Sequence, residues 1–160
     1  LTPITPQSWA YNGDVKKYEK DLARAAQLLK KVGKVPDVFV LTTVPAYLTT
    51  AESIKTDWEA LGIKVELQVV PDIPEDFQLL IMAQAVPTDP DQYSLWHSTQ
   101  ESTNLTKLKN PRIDKLLEDG RKSTNLEERK KIYADFQKYL VEEVPAVFLY
   151  HPETYTVSRK

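Results

Sequence analysis

Apolar residues fall three and four apart at Val15, Tyr18, Leu22, Ala25, Leu29 and Val32, the spacing that lines one face of a helix. Asp14 can cap this helix, and Gly33 stands where a left-handed residue closes one. Residues 38–44 are β-branched and apolar between Pro36 and Pro45, which predicts a buried strand. A second helix is expected from about Ala51, with Thr49 and Glu52 at capping-box spacing, a face of Ile54, Trp58 and Leu61, and Gly62 at its end. Ile63, Val65, Leu67 and Val69 then alternate with polar residues, as in a strand with one wet face.

Residues 71–74 read as a turn, and residues 77–86 are apolar on both faces, which predicts a central strand. The run Pro87-Thr88-Asp89-Pro90-Asp91 breaks regular structure, and a polar loop continues to Asn110. Ordered loops of that length are more often functional than decorative. Asn110-Pro111 opens a helix with Ile113, Leu116 and Leu117 inward. Asn125 with Glu128 opens another, carrying Ile132, Tyr133, Phe136 and Leu140 and ending at Val144-Pro145. Residues 146–150 and 155–157 read as closing strands. The order α-β-α-β-β-loop-α-α-β-β predicts an α/β fold, a mixed sheet flanked by helices. Residues 1–160 are expected to form a single domain, with 1–13 an extended, Pro- and Thr-rich lead-in that runs over another surface.

Composition narrows the chemistry. The 160 residues carry a net charge of −2 and no basic stripe, so a nucleic-acid partner is not expected. Cysteine is absent, which removes disulfides, thiolate metal sites and cysteine nucleophiles. Four glycines supply neither a phosphate-cradling loop nor a nucleophile elbow, and no spacing singles out a catalytic triad. We therefore expect no enzyme, no cofactor and no metal. The chain opens Leu1-Thr2-Pro3-Ile4, which leads us to expect a piece of a longer protein.

Several words of the sequence share one source. Ala23-Arg24-Ala25-Ala26-Gln27-Leu28-Leu29 before Gly33, Leu61-Gly62-Ile63-Lys64-Val65, Asp89-Pro90-Asp91, Asn110-Pro111-Arg112-Ile113-Asp114, Arg129 to Tyr133, and Glu142-Glu143-Val144-Pro145 stand in that order. Together they resemble the C-terminal lobe of the family 5 extracellular solute-binding proteins, the oligopeptide, dipeptide and nickel receptors of ABC importers. The resemblance implies a type II periplasmic-binding-protein-like fold of two lobes closing on a ligand. It implies as partners a peptide or other small solute, an ABC permease in the membrane, and a missing N-terminal lobe of the same chain. It also implies an extracytoplasmic place, lipid-anchored through a missing N-terminus. A signalling receptor built on the same fold is the alternative.

By that resemblance the end of the strand at 77–86 and the following loop line the ligand cleft. The candidate ligand-binding residues are Met82, Gln84, Val86, Pro87, Asp89, Trp96 and His97. The family's charged anchors for a free peptide are replaced: Val86 stands where an acidic residue takes the ammonium, Leu80 near a basic position, and Met82-Ala83 near a Gly-Trp pair. An ammonium buried without a carboxylate carries a heavy desolvation cost, so a neutral or apolar ligand, or a peptide held by the other lobe, fits better. Asp89 and Asp91 lack the further oxygen donors and glycine of a hard-cation loop and read instead as turn formers beside Pro90. Trp96 is either a stacking platform or a lid over the core, and His97 either a ligand contact or a core-edge residue. Tyr47 and His151 read as structural. The charge runs Lys16-Lys17, Lys30-Lys31 and 127–131 read as solvated helix faces.

Overall fold

In the computed structural model, residues 1–152 and 156–159 are described. They form two compact units, residues 19–84 and residues 1–18 with 85–160, where the hydrophobic pattern suggested one domain. Each unit closes around its own core.

The unit of residues 19–84 holds α1 (Leu22–Val32), β1 (Phe39–Thr43), α2 (Leu48–Glu59), β2 (Val65–Val69) and β3 (Leu79–Ile81). Strand β1 runs parallel to β2, with Phe39 opposite Val65, and parallel to β3, with Leu41 opposite Leu79. Helix α2 supplies the crossover between β1 and β2, as parallel strands require. Leu41, Ala51, Val65 and Ile81 are buried, and Ile54 and Trp58 of α2 pack on them. Trp58 meets Phe39 edge to face at 5.4 Å.

Four expectations shift here. Helix α1 starts at Leu22, because Asp21 accepts the Arg24 N–H at 2.8 Å while Asn12 Oδ1 takes the Asp14 N–H at 2.9 Å, tying Asp14 into a turn. Helix α2 starts at Leu48, behind a 3₁₀ turn at Pro45–Tyr47, so Thr49 and Glu52 lie inside it and form no capping box. The central strand is β1, and β3 is an edge strand of three residues. Both pairings are parallel, so the mixed character expected of the sheet does not occur among the described residues.

The unit of residues 1–18 and 85–160 holds α3 (Tyr93–Trp96), α4 (Pro111–Lys122) and α5 (Leu126–Glu143). Asn110 caps α4 through the N–H groups of Arg112 and Ile113, and Asn125 caps α5 through that of Glu128, as the sequence predicts. The two helices pack through Ile113, Leu117, Tyr133, Phe136 and Leu140, all fully buried. The lead-in is part of this core: Thr2, Pro3, Ile4 and Ala10 are buried. Gln137 of α5 holds it, with Oε1 accepting from Thr2 Oγ1 (2.8 Å) and Asn12 N (3.1 Å) and Nε2 donating to Ala10 O (2.8 Å).

Residues 146–150 form no regular strand, with Ala146 in a bend, and the three strands among the described residues all lie in the unit of 19–84. Phe148 instead turns onto Trp96 at 6.2 Å. In the other expected closing strand, Tyr155 falls outside the described residues, and Thr156 and Val157 are irregular. Helix α5 ends at Val144 with φ 53°, a left-handed conformation rare for a β-branched residue. Among the described residues no helix is long and apolar enough to cross a membrane.

Candidate functional site

The loop that begins at Pro87 is set by carboxylates and arginines. Asp89 Oδ1 accepts the Asp91 N–H at 3.0 Å, and Asp91 Oδ1 accepts the Tyr93 N–H at 3.0 Å. Two successive Asx turns therefore lead the chain into α3 around the buried Pro90. Arg129 of α5 grips Asp89 with both terminal nitrogens, at 2.8 and 3.1 Å, and its Nε donates to Gly120 O at 3.0 Å. The hydrogen bond from Arg129 holds the Asp89 carboxyl below its ordinary range, with burial opposing. Asp89 in turn raises the Arg129 guanidinium. Arg129 also lies over Trp9 and Tyr133, and burial raises the Tyr133 phenol. Beside this pair Arg121 meets Asp91 at 3.0 Å and covers the Tyr93 ring.

Trp96 and His97 are packed rather than presented. The Trp96 Nε1–H donates to Gln92 Oε1 at 2.9 Å, and Gln92 Nε2 donates to Pro3 O at 2.7 Å, so one buried amide ties the indole to the opening segment. Trp96 is thus the lid over the core. His97 stacks on Tyr93 at 4.0 Å between ring centres. Its Nδ1 accepts the Thr99 N–H at 3.2 Å, which leaves the neutral ring's proton on Nε2. That nitrogen is 3.5 Å from Glu118 Oε1 and 4.0 Å from Asp114 Oδ1, in a side chain only 5% exposed. Asp114 is engaged with the N–H and hydroxyl of Ser98 at 2.9 and 2.6 Å. The packing explains the order of the loop to Asn110, and it leaves both Trp96 and His97 buried.

The remaining candidates lie in the outgoing chain. Met82 is half-buried just past β3, Gln84 and Pro87 are exposed, and Val86 is half-buried. Met82 and Gln84 belong to the unit of 19–84; Val86, Pro87, Asp89, Trp96 and His97 belong to the other. Tyr47 packs on the core of the first unit, the structural role expected of it. A cleft of about 330 Å³ among Ser98, Glu101, Asn104, Lys107 and Lys109 contains none of the candidates. Three of its side chains are engaged within the protein: the Asn104 amide donates to Leu108 O at 2.8 Å, Lys107 Nζ to Glu101 O at 2.8 Å, and the Ser98 hydroxyl to Asp114 at 2.6 Å. No group of three His, Asp or Glu among the described residues is placed to hold a metal ion. The residues missed from sequence are Arg129, Gln92 and Gln137. Arg129 lay within a run read as solvated charge, and its spacing gives no sign that it reaches back to Asp89.

The chain has the fold of type II periplasmic binding proteins. It superposes on the structure of the oligopeptide-binding protein AppA from Bacillus subtilis in complex with a nonapeptide, with a TM-score of 0.80 and 24% identity over 90% of this chain and 34% of that one. Residues 1–105 match the family described as bacterial extracellular solute-binding proteins, family 5 Middle, and the chain belongs to that family. Among curated relatives, the Bacillus subtilis oligopeptide-binding protein AppA is 28% identical over 96% of this chain and 34% of its own length. The heme-binding protein A of Haemophilus influenzae is 26% identical over 93% of this chain and 31% of its own. The chain spans about a third of the length of the curated relatives it matches.

Proposed function

We propose that this chain is the C-terminal ligand-binding lobe of an extracytoplasmic receptor. The receptor binds a small solute or peptide between this lobe and a second one and hands it to the permease of an ABC importer. The family match over residues 1–105 carries the reading. Its cleft-lining segment is the outgoing chain from Met82 to Asp89, with Met82, Gln84, Val86 and Pro87 as contacts and Asp89 fixing the backbone. Lipid anchoring of the whole receptor through a preceding segment fits the same reading.

The ligand class follows from what the segment presents. Val86, Leu80, Met82 and Ala83 offer no charge, so a terminal ammonium buried against this lobe would lose hydration without recovering an ion pair. A neutral or largely apolar solute, or a peptide anchored by the second lobe, is favoured. That relatives range from an oligopeptide-binding to a heme-binding protein is consistent with one lobe serving different solutes.

Ligand held by both lobes shifts an open–closed equilibrium toward closure. A thermal-shift screen of the full-length receptor against peptides, oligosaccharides, metal chelates and heme tests this, because a tight ligand raises apparent stability by mass action. The isolated chain, with half the contacts, is expected to bind the same ligand weakly or not at all by calorimetry. Low-micromolar binding to it would refute the shared-cleft reading.

A further inference from the structure

Helix α1 takes no part in the site above, and its surface is unusual for a helix in a folded unit. None of its residues is buried, and Leu22, Leu28 and Val32 are 42%, 50% and 68% exposed. Its inner edge borders an open groove of about 330 Å³ walled by Leu29, Phe39, Trp58, Leu61 and Ile63. No charged side chain lines this groove, and the Trp58 indole N–H is its one side-chain polar group. Within the helix the charged residues are Arg24, Lys30 and Lys31, and Lys34 follows the closing Gly33. None of the four forms an ion pair among the described residues, whereas the neighbouring Lys20 is paired with Asp57 at 2.5 Å and Lys55 with Glu59 at 3.6 Å. Arg24, Leu28 and Val32 stand four apart, so they form one row along the helix. An exposed apolar edge thus runs directly into an unneutralised basic one.

We propose that α1 is a peripheral contact for an anionic phospholipid surface. Leu28 and Val32 enter the boundary between headgroups and acyl chains, and Arg24, Lys30, Lys31 and Lys34 lie on the lipid phosphates. Basic amphipathic helices bind such surfaces by adding apolar burial to electrostatic attraction. Two observations favour a bilayer over an acidic polypeptide. The groove is almost wholly apolar, with only the Trp58 indole N–H to meet a partner's backbone, whereas an acyl layer requires no hydrogen bonds. Three of the four charges are lysines, point charges suited to a diffuse negative surface, where a planar carboxylate partner would favour arginine. The chain as a whole is negative, so the attraction comes from this local basic face and not from net charge.

The test is co-sedimentation of the full 160-residue chain with vesicles of phosphatidylcholine alone and of an equimolar mixture with phosphatidylglycerol. Binding is expected to the mixed vesicles only, and to fade as salt shortens the Debye length below about 10 Å. Each positive charge removed should weaken it about fivefold, so Lys30→Glu with Lys31→Glu should lower partitioning by about 25-fold or more. Leu28→Ser and Val32→Ser, at exposed positions where folding can be verified by circular dichroism, should each weaken it severalfold. Equal binding to both vesicle types, or no response to Lys30→Glu with Lys31→Glu, overturns the proposal. So does binding to polyglutamate as tight as to the mixed vesicles with no effect of Leu28→Ser, which identifies an acidic polypeptide as the partner.

Discussion

Replacing Arg129 should cost far more than replacing the carboxylate it grips. Asp89 is about half exposed, so its ion pair is screened and contributes at most about 1 kcal/mol. The Arg129 side chain is 19% exposed and does two further things. Its Nε satisfies the Gly120 carbonyl near the C-terminus of α4, a charge-assisted bond of roughly 1.5–3 kcal/mol. Its plane covers Trp9 and Tyr133 at 5.3 and 5.5 Å, adding roughly 0.5–1 kcal/mol at such part-exposed sites. Arg129→Ala is therefore expected to destabilise this unit by about 2–4 kcal/mol, and Asp89→Asn by about 1 kcal/mol or less. Arg129→Lys keeps the charge but loses the fork and the Nε bond, so it should recover less than half the loss. The assay is urea unfolding followed by fluorescence in a Trp58→Phe background, where Trp9 and Trp96 report on residues 1–18 and 85–160. A double-mutant cycle isolates the Asp89 coupling. An Arg129→Ala cost below about 0.5 kcal/mol, or an Arg129→Lys variant as stable as the parent, would refute this division of labour.

Gly120→Ala would place a Cβ 2.8 Å from the buried Tyr133 ring; despite the better helix propensity of alanine we expect a loss of about 1–2 kcal/mol by thermal unfolding, and a stabilised variant would contradict the packing. Gln137→Leu leaves the Asn12 N–H and the Ala10 carbonyl without their partner and should cost about 2–4 kcal/mol, read out also as faster proteolysis within residues 1–12. The His151 imidazole is held below its ordinary 6.5 chiefly by burial. Below that value the unfolded state takes up a proton the folded state resists, so stability should fall as pH drops through 6.5 and downward. His151→Gln should flatten that slope in urea titrations, and an unchanged slope would remove His151 as its source. Asp89 acts at lower pH with the same sign: its folded-state value is depressed, so its contribution is present above the ordinary carboxylate range and is lost as pH falls through the folded value.

Legibility from sequence tracked the range of the interaction. Caps are local, and Asn110, Asn125, Gly33 and Gly62 stand where the sequence puts them. Asp14 failed because Asn12, two residues away, competed for its backbone N–H. The strand at 77–86 was overextended because apolar composition marks burial without marking a pairing partner, and β3 pairs over three residues only. Residues 146–150 failed for the same reason. The lead-in was misread because nothing local shows that Gln137, a polar residue on an otherwise apolar helix face, bonds to residues 125 to 135 positions earlier. Of the candidate site, the outgoing segment came from family likeness. Burial of Trp96 and His97 depended on Gln92, Tyr93 and Asp114, contacts that no periodicity encodes.

These bonds divide the loop after β3 into two parts with different freedoms. From Asp89 onward nearly every polar atom is committed: Asp89 to Arg129, Asp91 to Arg121 and Tyr93 N, Gln92 to Pro3 and Trp96. Substitution there breaks buried or charge-assisted bonds, so the penalty falls on folding. Ala83, Gln84, Ala85 and Pro87 are exposed and Val86 is half-buried, and none of them belongs to either core cluster. Substitution there should change surface chemistry at little cost in stability. A receptor family that keeps one fold while changing its solute is served by that separation, with a loop fixed by arginine beside a short exposed stretch. On the function proposed above, Val86 in place of a carboxylate would change ligand preference at a position outside both cores.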